Sequence, residues 1–203
     1  MSKPDILEEI RIELKSLRII VDELHSLSEE HTDSEPSLRE KTAAGSFLAQ
    51  FYNGVENILK RISRLRDVEL PTGGMSHVEL FKKFCEPLFK NLPLVFDGKL
   101  EDEFGNYRRF RHIVYHGYGF QLKWEMMKFG VEQIGTVFEQ FSKRVSEFID
   151  EEANPWEYVT TSTNPRSRLL KYLRKFAKLP FQHGDPFAKE LQVAALCSAA
   201  RGR

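Results

Sequence analysis

The sequence predicts an all-α fold, an up-and-down antiparallel helical bundle, on three observations. Apolar residues recur at three- and four-residue steps through several segments long enough to be helices. No segment shows the convincing apolar–polar alternation of a half-buried strand. Short polar or Gly/Pro-containing breaks separate the periodic segments, which suits antiparallel neighbours.

The first helix opens at Pro4 and Asp5, where proline is tolerated and an acid suits the positive end of the helix dipole. Its stripe is Ile6, Leu7, Ile10, Leu14, Leu17, Val21, Leu24 and Leu27, and the polar run Ser28 to Ser34 ends it. Ser34, Glu35 and Pro36 are expected to cap a second helix reaching about Val68, with Phe47, Leu48, Phe51, Val55, Ile58, Leu59, Ile62 and Leu65 on its inner side. Pro71 to Gly74 reads as a turn. Ser76 is expected to cap a third helix towards Phe89, with Pro87 imposing a kink or an early stop.

Asp97 can start a fourth helix, whose stripe is Leu100, Phe104, Tyr107, Phe110 and Val114. Gly117 and Gly119 can end it just after His116. A last helix runs to about Glu151; its seam of Val131, Ile134, Phe138, Phe141, Val145 and Phe148 reads first as core and second as a dimerisation face.

The densest chemistry lies in Tyr107 to Phe120, YRRFRHIVYHGYGF. Arg111 falls at the edge of the apolar stripe, where a guanidinium must snorkel or find an anion. His116 lies five positions on, about 140° around a helix and roughly 7.5 Å along it, so one continuous helix does not put both on one face. A break at the glycines, or a second copy of the chain, would be needed to bring them together.

The spacing Arg111, four residues, His116, one residue, Tyr118 resembles the R-x4-H-x-Y signature of HEPN-domain ribonuclease toxins of the HepT type. His112, a polar residue directly after the arginine, fits the same pattern. Ala49 to Ser63, AQFYNGVENILKRIS, is similar to the long second helix of HepT-like proteins, and Leu70 to Phe81, LPTGGMSHVELF, to their connection into the third. Three ordered matches on a helical background are far more specific than the short motif alone. The resemblance spans roughly residues 5 to 150.

That resemblance implies the toxin of a toxin-antitoxin system, a metal-independent endoribonuclease needing no cofactor and built as a homodimer. His116 matches the catalytic histidine, which moves a proton near neutral pH. Arg111 matches the arginine that holds the phosphate in its planar fork. Tyr118 matches the tyrosine that a cognate nucleotidyltransferase antitoxin of the MNT type modifies with AMP, an adduct that would block the site and repel RNA. Arg108, Arg109, His112 and Tyr115 are expected to help bind the RNA substrate, with Tyr107 or Tyr115 stacking on a base.

Plainer readings stand beside these. Arg111 can cap a buried carboxylate such as Glu56, His116 can be a helix-terminal histidine stabilised by the dipole, and Tyr118 can simply pack. Asn53 and Glu56 either line the site or face solvent, and His77 is expected to be a capping or surface residue. His112 and His116, four apart, make half of a metal site with no matching acid or cysteine cluster, so no metal is expected. The competing function is a non-catalytic HEPN-like binding module that dimerises and scaffolds a partner.

Composition narrows the class. The chain has 203 residues, 41% hydrophobic and 30% charged, which suits one globular domain with an appendage. The formal charge of zero conceals a split: residues 153–203 hold nine Lys or Arg against three acids, leaving 21 bases and 27 acids before them. An acidic body argues against non-specific coating of nucleic acid. Residues 1–152 are therefore expected to form the bundle and 153–203 a basic extension of unassigned role, for which a non-native origin is one reading. Cys85 and Cys197 read as free thiols in a reducing compartment, and with no signal peptide or apolar span evident the expected location is the cytoplasm.

Overall fold

A computed structural model describes residues 2–116 and 122–153, with His116 described by its backbone alone. Among the described residues there are five helices and no strand: α1 Lys3–Glu30, α2 Leu38–Leu65, α3 Ser76–Lys82, α4 Gly98–His116 and α5 Trp124–Ala153. The basic extension expected from residue 153 lies, but for Ala153, outside them, as does Cys197. No helix among them is long and apolar enough to cross a membrane.

Side-chain pairs give the directions of the four long helices. Asn57 of α2 bonds Glu13 of α1 at 3.3 Å while Arg61, further along α2, reaches back to Glu9 at 3.0 Å, so these two run antiparallel. Phe51 meets Tyr107, while Gly45 lies against Val114, which sets α4 antiparallel to α2. Tyr107 donates its hydroxyl to the carbonyl of Gly130 at 2.9 Å and Phe104 packs on Phe141, so α5 returns along α4. Lys3 pairs with Glu152, closing the ring of α1 and α5. This is the up-and-down bundle the periodicity predicts, with α2 touching every other helix.

The core is aromatic. Phe51, Phe96, Phe104, Phe138 and Phe141 are all buried, with neighbouring ring centroids 5.0–6.3 Å apart in edge-on, tilted and stacked pairs. Every residue of the α5 seam is buried within this one chain, so it serves as core. Cys85 is a buried free thiol, and burial, with the Glu101 charge adding to it, pushes its pKa up to about 12.

Three expected boundaries shift for identifiable reasons. The second helix is capped by Ser37, not Ser34: the Ser37 hydroxyl accepts from the Glu40 N–H, and Glu40 accepts in return from the Ser37 N–H at 2.6 Å. Ser37 and Glu40 stand at the spacing of a capping box, whereas Ser34 is engaged with the His31 ring at 2.9 Å. That helix ends at Leu65, because Asp67 takes φ 52° and the Val68 N–H turns back to the Ser63 carbonyl. Ser76 is the first residue of α3 rather than its cap, which is Met75, and α3 stops at Lys82. Beyond it the chain folds over itself, the Phe84 carbonyl accepting from the N–H groups of Val95 and Phe96, and all three side chains enter the core.

Candidate functional site

On α4 the residues Arg108, Arg111, His112 and Tyr115 fall at three- and four-residue steps and so share one face. That face meets α2, whose inner stripe is interrupted at Asn53 and Glu56 by polar side chains. Arg111 is half-buried and donates from Nε to Asn53 Oδ1 at 2.7 Å. Asn53 Nδ2 donates in turn to the Tyr115 hydroxyl at 2.8 Å. The Arg111 guanidinium carbon lies 5.3 Å from the centre of the Tyr115 ring, within cation–π reach.

Three side chains from two helices thus hold one another, and the two terminal nitrogens of Arg111 have no hydrogen-bond partner among the described residues. A fork gripped by Nε with its outer nitrogens left over suits an oxyanion. Arg111 does not cap Glu56, the plainer alternative. Glu56 pairs with Lys60 at 2.7 Å, and its other oxygen is buried with no hydrogen-bond partner among the described residues.

The surroundings are electrostatically coupled. Burial and then the Glu56 charge push Tyr52 up to about 12, against the opposing pull of Arg108 and Arg111. The His77 imidazole is half-buried, and its pKa is lowered first by burial, then by Arg111, with Arg108 and His112 adding to this and Glu56 opposing it. His77 is therefore neither a cap nor an isolated surface residue; α3 brings it into the field of the α4 cations. Nothing in the sequence around His77, three residues past the Pro71–Gly74 turn, signals this placement.

The remaining expected residues divide. Arg108 is half-buried and acts on Tyr52 and His77, and His112 is exposed and also acts on His77. Arg109 lies about 160° around the helix from Arg111, is exposed, and is not brought to this cluster within the chain. Tyr107 is buried and spends its hydroxyl on Gly130, so it cannot stack on a base. The sequence placed Tyr107 in both the apolar stripe and the aromatic motif, and packing decides for the stripe. His116 is the last residue of α4; its side chain, and Tyr118, lie outside the described residues.

One grouping among the described residues has metal-ligand chemistry: Glu30, His31 and Glu40 bring ligand atoms within 4.8 Å of one another. It sits on the α1–α2 connection, and two of its groups, His31 and Glu40, are already engaged with each other and with Ser34 and Ser37.

A family model described as HepT-like protein matches residues 43–151, more than half of the chain, a span that takes in Asn53, His77, Arg111 and Tyr115. Neither the curated proteins nor the solved structures compared with the chain gave a match.

Proposed function

The chain belongs to the HepT-like protein family, and from that premise we propose that it is the toxin of a toxin-antitoxin pair, a metal-independent endoribonuclease acting through Arg111 and His116. The observation that carries this reading is the posture of Arg111, fixed on α2 by its Nε, with neither outer nitrogen taken up by a partner among the described residues. An arginine serving only the fold would more commonly have its outer nitrogens on a carboxylate or a carbonyl.

In the proposed reaction the ribose 2′-oxygen attacks the adjacent phosphorus, the bond from phosphorus to the 5′-oxygen breaks, and a 2′,3′-cyclic phosphate remains. The proton leaving the 2′-hydroxyl and the proton arriving on the 5′-oxygen need a group that titrates near neutrality, the role assigned to His116. Negative charge gathers on the non-bridging oxygens, and the Arg111 fork answers it. Arg108 extends the positive face along α4 for the RNA backbone, and His112 stands beside it on the same face with ring nitrogens that can hydrogen-bond the substrate. A homodimer would bring a second motif to the same site, and AMP placed on Tyr118 by a cognate nucleotidyltransferase would silence it.

Growth on expression of the chain tests this. Wild type should arrest growth, and both Arg111→Ala and His116→Ala should relieve the arrest while keeping the oligomeric state of wild type. Arrest that persists in both variants favours a binding module that scaffolds a partner.

A further inference from the structure

The polarity of the Arg111–Asn53–Tyr115 chain can be worked out from its first member. Arginine has only donors, so Asn53 must present its carbonyl oxygen to the Arg111 Nε at 2.7 Å. The amide nitrogen of Asn53 is then the atom facing Tyr115, and it can only donate. The Tyr115 oxygen, 2.8 Å away, is therefore an acceptor in this contact, and the phenol hydrogen is not spent on Asn53. Among the described residues nothing else receives it, and Tyr115 is 61% exposed.

We propose that the Tyr115 hydroxyl and the outer nitrogens of Arg111 form one donor pair for a phosphodiester, with Asn53 fixing the polarity of both. Every hydrogen-bonding atom this trio leaves over on Arg111 and Tyr115 has a hydrogen to give, so it suits a group that only accepts, as the non-bridging oxygens of a phosphodiester do. The inference rests on the ribonuclease reading for its substrate and changes the role of Tyr115 within it. One face of the Tyr115 ring is already turned to the Arg111 guanidinium at 5.3 Å, so the phenol serves the phosphate through its O–H rather than a base through that face.

Two measurements on the full chain test this. One is affinity for a 2′-O-methyl oligoribonucleotide, which keeps the phosphodiesters and lacks the attacking hydroxyl. The other is single-turnover cleavage of RNA of the same sequence. Tyr115→Phe keeps the ring over Arg111 and removes only the O–H; binding should weaken and cleavage should slow by about tenfold or more, since a hydrogen bond to a charged group is lost.

Asn53→Asp supplies a second, independent arm. A carboxylate accepts from both Arg111 and the Tyr115 O–H, consuming the donor while leaving the phenol in place. Adding Tyr115→Phe to Asn53→Asp should therefore cost nothing further. Tyr115→Phe equal to wild type in both measurements, or its full penalty persisting on the Asn53→Asp background, overturns the assignment even where the ribonuclease reading stands. Tyr115-dependent binding without cleavage by wild type supports the donor pair and sinks the ribonuclease reading. Neither binding nor cleavage by wild type overturns both.

Discussion

Arg111 is held at its inner nitrogen, and the consequences of that arrangement are local. Its sequence position, at the edge of the α4 apolar stripe, already required a partner or an anion. Which partner it takes was not legible, because Asn53 and Glu56 stand three apart on the same α2 face and side-chain geometry alone separates them. His77 was harder still, since nothing in its own neighbourhood of sequence announces that α3 will carry it towards cations on α4. Its electrostatics yield a prediction. With a folded pKa below the ordinary value of about 6.5, His77 binds fewer protons folded than unfolded. Its contribution to stability is therefore present above the unfolded pKa and is lost as pH falls through the folded one. Urea midpoints at pH 7.5 and 5.5 should show wild type losing more stability on acidification than His77→Gln. Equal losses would mean that the imidazole does not feel burial and the neighbouring cations.

At the scale of elements, the long helices were readable from period and composition, and their ends less so. Two capping boxes begin α1 and α2, Ser2 with Asp5 and Ser37 with Glu40, and both have the sequence spacing of the motif. Proline drew attention to the wrong serine in the second case. The ends of α1, α2 and α5 are tied together by Glu152, which is buried and pairs with Lys3 at 2.6 Å and Arg66 at 2.5 Å. Arg66 also lies over the Phe148 ring at 5.2 Å. Glu152→Ala strands a largely buried guanidinium, and should lower stability by about 2–4 kcal/mol, somewhat under the value for a wholly buried pair because Lys3 is half exposed. Glu152→Gln, which keeps an acceptor, should cost less. Equilibrium urea unfolding of the two variants checks the order, and a Glu152→Ala protein as stable as wild type would show that the three helix ends do not depend on this carboxylate.

For the whole molecule, the bundle was legible because each long helix carries one apolar stripe and the stripes close on a single aromatic core. A third helix beginning at Ser76 was legible too, but its stop at Lys82 and the segment after it were not, since Phe84, Val95 and Phe96 enter the core from irregular backbone that no helical period describes. The site follows from the same architecture. Running α4 antiparallel to α2 sets Arg111 and Tyr115 opposite the one asparagine that joins them. The activity assigned to this arrangement is tested most directly by incubating cellular RNA with purified chain in chelator and identifying the new ends. Cleavage that leaves 2′,3′-cyclic phosphates, and that is lost in His116→Ala of unchanged oligomeric state, is the predicted result. Intact RNA, with the protein shown by mass to carry no AMP on Tyr118, would contradict it.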